Sequence, residues 1–350
     1  MPINHDAPRT EPPFVSPWLL GALVFFGLVA ALVTYKTSGS LQTIAKVQAS
    51  QTLAPRSEAL TTAGQSAVIR PFLRTLNYLA IVWPALLFGV LIGAAVRAVV
   101  PSAWVARLLG GSPLRSQLAG GLAGAPLMLC SCCVAPVFAA VHERTRRAGP
   151  AAAFMLAAPS LNPATLVLTF LLFTADVAWV RVAMALVLVF GVSLLAARFL
   201  PAPKVAPAAC PLETAPPGTA GATLIVFGRE VWRLARTTLP LIVAGVLASS
   251  LLLDAVPLSR LQQGPFQVAI VVLVALLSVP IALPTFAEIP LALGLLAAGA
   301  PAGAAVALLI AGPAINLPSL LTVSRTTTPG HAFALAAGTF LVALAGAMLV

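Results

Sequence analysis

The chain has 350 residues, 60% of them hydrophobic and 8% charged, with a mean hydropathy of +1.02. An average soluble domain is about 25% charged, so this composition cannot furnish a water-facing surface. The net charge is +11, but the basic residues lie between apolar runs without interleaved aromatics. That pattern reads as membrane topology signalling and argues against nucleic acid as a partner.

Four cysteines in so apolar a chain are not the disulfide framework of a small secreted domain. The 31 prolines and 25 glycines suit membrane helices, where neighbouring segments satisfy freed backbone groups. The expected fold is all-α and polytopic.

Crossing a bilayer core takes about 20 apolar residues. Such runs occur at 18–34, 77–100, 120–141, 150–173, 179–199, 239–253, 266–298, 303–323 and 332–350, which predicts about nine spans, within a range of about 8–10. Residues 1–34 read as a tail and an uncleaved anchor helix, because Arg9 is offset by Asp6 and Glu11 and no small-residue cleavage site follows. Residues 35–70 are polar and extramembrane; 71–200 form a first membrane unit. Residues 201–228 are a Pro/Ala-rich cytoplasmic linker, and 229–350 form a second unit.

Basic clusters at Lys36–Arg74, Arg144–Arg147 and Arg198–Arg236 are all expected in the cytoplasm, with the N-terminus outside and the C-terminus inside. The loop bearing Arg107 and Arg115 then falls outside, against the same rule.

The two units resemble each other. Pro126, Pro136, Gly149, Pro159 and Asn162 recur as Pro280, Pro290, Gly303, Pro313 and Asn316, each pair 154 positions apart. Upstream, the run from Trp83 echoes that from Leu239 at an offset of 156. The chain reads as two homologous halves with proline-broken helices, preceded by one extra helix. Paired interrupted helices point to a transport site at the repeat interface. Four spans per unit make the halves parallel; a re-entrant pair broken at Pro280 and Pro284 makes the second inverted.

Three constellations carry chemistry. In Pro126–Pro136, the residues Cys130, Cys132 and Cys133 fall within four positions, and the flanking prolines are expected to unwind the segment. Thiolates suit Cu(I), Zn(II) and trivalent arsenic; Cys130 and Cys132 converge on one ion only if the backbone there is extended. A lone membrane cysteine is merely a small apolar residue, and Cys210 in the linker is read that way.

Asn162, between Pro159 and Pro163, and Asn316, between Pro313 and Pro318, put amides in mid-span. An unpaired buried amide is costly, so each caps a break, bonds the other across the interface or touches a substrate. Glu288, between Pro284 and Pro290, is the acid deepest in an apolar run. A membrane-embedded carboxylate suggests cation binding or proton exchange, or else a cap or a partner for an Asn or Arg.

Gly89-x-x-x-Gly93 and Gly120-x-x-x-Gly124 are expected to be helix-packing surfaces. His142 with its arginines reads as a cytoplasmic loop. No phosphate-binding loop of the P-loop type is present, and neither a cofactor nor an enzymatic activity is expected.

With PLMLCSCCVAPV at 126–137, AGPAAAFMLAAPSLNPATL at 148–166, PTFAEIP at 284–290 and AGPAINLPSL at 311–320, the chain resembles the ArsP-type permease family over roughly 70–345. These are described as permeases linked to organoarsenical or copper/zinc efflux. Members usually carry glycine where this chain has Cys133. The resemblance implies a multi-pass inner-membrane exporter coupled to protons or another ion.

The expected cargo is a small thiophilic metal or metalloid species, held transiently by Cys130 and Cys132 with Cys133, Glu288, Asn162 and Asn316 around it. The alternatives are a membrane thiol oxidoreductase using Cys130–Cys133 and a non-transporting membrane subunit.

Overall fold

Prolines and asparagines that interrupt apolar runs decide where the helices end. The computed structural model describes residues 17–53, 59–66, 68–100, 102–109, 111–199, 220–255 and 267–350, and among these every regular element is helical. The tail at 1–16, most of the expected linker and Cys210 lie outside the described residues.

α1 (Pro17–Ser50) does not stop at Thr34. With no proline between Pro17 and Pro55, the polar stretch 35–50 continues the same helix. α2 (Arg70–Ala98), α3 (Ser102–Leu109), α4 (Pro113–Gly124), α5 (Ser131–Thr145), α6 (Ala148–Ser160) and α7 (Pro163–Leu172) follow. α8 (Ala175–Leu186) passes through a π-helical stretch at Val187–Val192 into α9 (Ser193–Phe199). α10 (Ala220–Ala255) begins inside the expected linker, so the run at 239–253 is only its second half. α11 (Gln267–Ser278), α12 (Glu288–Ala297), α13 (Ala302–Ala314), α14 (Leu317–Thr326) and α15 (Pro329–Ala347) complete the chain.

Five helices among the described residues are long and apolar enough to cross a membrane: α1, α2, α8–α9, α10 and α15. The bent pairs α6–α7, at 40°, and α13–α14, at 44°, raise the number to seven if each is one crossing. Nine were expected. The difference lies in 120–141 and 266–298, each divided between two helices of at most 15 residues, short of the roughly 20 a crossing needs.

Contacts fix the direction of these short helices. Gly120 and Gly124 of α4 lie against the backbone of Pro150 and Phe154, so α4 runs parallel to α6. α5 joins α6 through two residues and packs on it in the opposite direction, so α5 runs antiparallel to α4. The ends meet where the Arg147 guanidinium donates to the Gly111 carbonyl at 2.9 Å. α4 and α5 are therefore a hairpin that enters and leaves on one face of the bundle.

α11 and α12 form a second hairpin from the opposite face. Val271 sits beside Gly303, while Leu283 and Glu288 sit beside Gly312, so α11 runs with α13 and α12 runs against it. Both expected glycine motifs are contact surfaces: Gly89 and Gly93 meet the carbonyls of Cys133 and Pro136, as Gly120 and Gly124 meet α6.

These directions overturn the expected sidedness of the charges. Arg97 at the end of α2 pairs with Glu143 of α5 and Glu230 of α10, and Arg233 pairs with Glu230. The Arg144–Arg147 and Arg229–Arg236 groups thus share one end, and Arg107 and Arg115 belong there too, between α2 and α5. Arg70 and Arg74 lie at the other end, where Thr75 meets Ser250. Gly21 packs on Val99 at the basic end, whereas Ala347 lies beside Gly303 at the opposite one. Relative to Arg144–Arg147, the start of α1 and the end of α15 are the reverse of the expectation.

The helix bounds also recur. α4, α6 and α7 begin and end 154 residues before α11, α13 and α14 (Pro113 and Gln267, Ala148 and Ala302, Leu172 and Thr326 among them).

The hairpin geometry predicts that Arg115→Cys and Arg146→Cys, each in a Cys210→Ser background, react with an impermeant maleimide from the same side of a sealed vesicle. Labelling from opposite sides would instead restore a single crossing at 120–141.

Candidate functional site

The first hairpin turns through a 3-10 stretch at Ala125–Leu127 that contains Pro126. Met128 follows at φ +50°, and Cys130 is extended at the N-cap of α5. That extension answers the condition set by the sequence. A regular helix would splay alternate cysteines, but here the sulfur atoms of Cys130, Cys132 and Cys133 lie 2.8–3.8 Å apart.

Pro136, expected as a break, lies inside α5. The unwound segment ends at Cys130, where a new helix start leaves Pro136 one turn deeper and requires only its own missing hydrogen bond. Pro290 likewise lies inside the first turn of α12, where no N–H partner is needed.

The second tip, 279–287, holds Pro280 and Pro284, with Phe286 at φ +76°. Left-handed non-glycine residues at both tips are the kind of backbone strain that clusters at functional sites. The Pro280 carbonyl accepts from the Leu317 N–H at 3.0 Å and from the Ser249 hydroxyl at 2.8 Å. These bonds tie the tip to the start of α14 and to α10.

The bent spans break for a shared reason. Pro159 and Pro313 end α6 and α13, then an asparagine caps the next helix. The Asn162 carbonyl Oδ1 accepts from the Ala164 N–H at 3.0 Å, with Pro163 at the first position of α7. Asn316 makes a reciprocal capping box with Ser319 at the start of α14, next to Pro318.

All four interruptions converge on one small cleft. It is lined by Leu129 and Cys130 from the first tip, Pro159, Asn162 and Thr165 from the first bend, Leu283–Thr285 with Glu288 from the second tip, and Pro313 from the second bend. Cys130, Asn162 and Glu288 are therefore brought together. Cys132 and Cys133 stand behind Cys130, and the Tyr78 hydroxyl of α2 lies 2.9 Å from the Cys132 sulfur. Asn316 is a buried cap, and Pro313 is the residue its bend presents to the cleft.

Glu288 is not a lone charge. Arg181 of α8 pairs with it at 3.1 Å, both side chains being 2% exposed, and also donates to the Thr169 hydroxyl at 2.5 Å. Thr169 in turn donates to the Thr165 carbonyl, and Thr165 to the Asn162 carbonyl. A polar ladder along α7 thus links the asparagine to the ion pair.

Sequence reasoning missed Arg181 and Tyr78. Arg181 was detectable as a basic residue inside the apolar run 179–199, by the same rule that singled out Glu288. Tyr78, facing inward from a span, had no such signal.

A multi-pass helical bundle whose interrupted segments meet in a buried, partly polar cleft defines an integral membrane protein of transporter type. The ArsP_1 family, described as predicted permeases, matches residues 69–350, everything from α2 onward. The UPF0718 protein YraQ of Escherichia coli (strain K12) is 32% identical over 250 residues, covering 71% of each chain. The UPF0718 protein MJ0584 of Methanocaldococcus jannaschii is 22% identical over 305 residues, covering 69% of this chain and 84% of that relative. No solved structure matches. The chain belongs to the predicted-permease family.

Removing one partner of a buried ion pair leaves an uncompensated charge, at a cost of about 3–5 kcal/mol, whereas replacing both with apolar groups is far milder. Arg181→Met is therefore expected to lower stability in detergent by that amount, and Arg181→Met with Glu288→Leu to recover most of it. Additive losses in this double-mutant cycle would mean that the two side chains do not interact.

Proposed function

We propose that the chain is a secondary permease of the inner membrane that exports a small thiophilic metal or metalloid species, such as a trivalent organoarsenical, Cu or Zn. The observation that carries this reading is a cluster of three sulfur atoms, that of Cys130 at the wall of a cleft built from four helix interruptions and those of Cys132 and Cys133 behind it. Soft donors favour soft, polarisable cargo, and interrupted helices at mid-depth are where transporters bind. Cys130 meets the cargo first, with Cys132 and Cys133 within reach of the same atom. Glu288 and Asn162 form the opposite walls, and Asn316 holds the second bend in place.

Residues 71–200 and 229–350 act as two inverted halves. In support, α10 runs antiparallel to α2, with Glu230 beside Arg97 and Ser250 beside Thr75. α15 runs antiparallel to α8–α9, with Gly338 beside Val192 and Gly346 beside Met184. The recurrence of helix bounds at 154 residues points the same way. Each half contributes three crossings and one hairpin, an odd number of crossings that requires inversion. The basic end faces the cytoplasm by the positive-inside rule, which accommodates Arg107 and Arg115 and leaves Arg70 and Arg74 on the other side. Rocking of one half against the other then opens the cleft to each side in turn.

One observation favours a second reading. Cys130 at the N-terminus of α5 and Cys133 one turn on are spaced as in redox motifs, with sulfurs 2.8 Å apart. A thiol oxidoreductase would cycle that pair between dithiol and disulfide during turnover, whereas a transporter keeps it reduced.

In vesicles holding the purified protein, a phenylarsenical or Cu(I) gradient is expected to be dissipated by the parent. Cys130→Ser should lose at least about tenfold in apparent affinity, a difference of about 1.4 kcal/mol. Transport by Cys130→Ser and Glu288→Gln equal to the parent's would remove the site from the pathway.

A further inference from the structure

Away from the thiol cleft, a second small cavity lies at the basic end, on the seam between the two units. Phe138, Ala152 and Ala196 line it from the first unit, and Val323, Thr327 and His331 from the second. His331, near the start of α15, is 3% exposed. The Thr328 hydroxyl engages both its backbone N–H, at 3.2 Å, and its Nδ1, at 2.8 Å. That pairing caps the helix, yet Nε2 has no partner. His142 of α5 is also buried and close enough to interact electrostatically with His331. Its ring stacks on Phe138 with centroids 6.1 Å apart, and its Nδ1 is unpartnered too. Buried polar atoms are almost always satisfied, so two orphaned ring nitrogens on one seam call for an explanation.

A neutral imidazole suits this seam, whereas an imidazolium would lack a counter-charge. No carboxylate lines the cavity. The charged groups on the elements around it are Glu143 and Arg144 of α5, Arg146 and Arg147 in the next turn, Arg198 of α9 and Arg325 of α14. Away from this end lie the α5 cysteines and, on α8, Asp176 and Arg181; α6, α11, α13 and the π-helical stretch carry no charged residue. Glu143 already answers Arg97. A charge enclosed without a partner is costly, and admitting water along the seam removes that cost. Histidine is the side chain that changes charge near neutral pH.

We propose that His331 is a proton-binding site that governs this seam: the neutral ring keeps the basic end closed, and the protonated ring opens it. A proton that binds the open form better than the closed one shifts the population by that difference in affinity. Acid therefore favours the open seam, and rising pH closes it. The inference rests on the reading that the two halves rock, and it adds the group that biases them.

The test uses full-length protein in vesicles without cargo, so a wrong cargo assignment leaves every result unchanged. Ala196→Cys in a Cys210→Ser background puts a buried thiol on the cavity wall. An impermeant maleimide is applied from the side that labels Arg146→Cys, from about pH 8 to about pH 5.5, and label at position 196 is read by peptide mass spectrometry. Dividing the rate with His331 intact by the rate in His331→Gln at each pH cancels the thiol's own ionisation. The ratio is expected near unity at high pH and to rise on acidification, by at most about tenfold per pH unit for a single proton. His331→Asn serves as the neutral reference if His331→Gln does not fold, and His331→Arg should label rapidly at every pH. A flat ratio overturns the role of His331, whether or not His142→Gln abolishes the acid response. A thiol that stays unreactive in every folded variant, His331→Arg included, overturns the opening itself and the rocking of the halves with it.

Discussion

A helix interrupted inside lipid must find partners for its freed backbone groups within the protein, because the hydrocarbon offers none. That constraint organises this molecule. It is met four times, by two asparagine caps and two hairpin turns, and the four solutions share one volume. The Pro280 carbonyl serves α14 and α10 at once, and the first tip hands its chain directly to the cysteine that caps α5. A cleft at the centre follows from the breaks, since irregular backbone cannot fill space as regular helices do. The same breaks supply its polar wall.

Close backbone packing and neutralised charge keep this arrangement in register. Gly89 lies against the Cys133 carbonyl and Gly124 against that of Phe154, with no room for a Cβ. The cysteine-bearing hairpin is thereby wedged between α2 and α6. Arg181 with Glu288 joins α8 to α12 across the core, and Arg97 with Glu143 and Glu230 joins α2, α5 and α10 at the basic end. A buried charge that lost its partner would be costly, so these bonds hold their helices together.

Much of this was legible in the sequence because its signals are local and chemical. Composition fixed the class, paired Pro and Asn marked the bends, and clustered sulfur with an isolated acid marked the cleft. Cys130, Asn162 and Glu288, 158 residues apart at the extremes, do share one wall system. What hydropathy could not give was direction. A run such as 120–141 is equally apolar whether it crosses or turns back, and the turn depends on the 3-10 stretch at Ala125–Leu127 and on which neighbour Gly120 packs against. One crossing misread as through-going reverses the side of every segment before it, which is why Arg107 and Arg115 seemed misplaced. Arg181 interrupts an apolar run as Glu288 does, but its partner is 107 residues away, beyond any local pattern.

The central claim, that the tips of the two hairpins face each other across one cleft, is most directly tested by cross-linking. Thr285→Cys in a chain whose remaining cysteines, apart from Cys130, are replaced by serine places one thiol on each tip. A short bifunctional maleimide is expected to join Cys130 to position 285 within the folded protein in its membrane, and phenylarsenous acid to slow the reaction. Absence of the cross-link while each thiol reacts singly would show that the tips are apart, and the site described here would not exist.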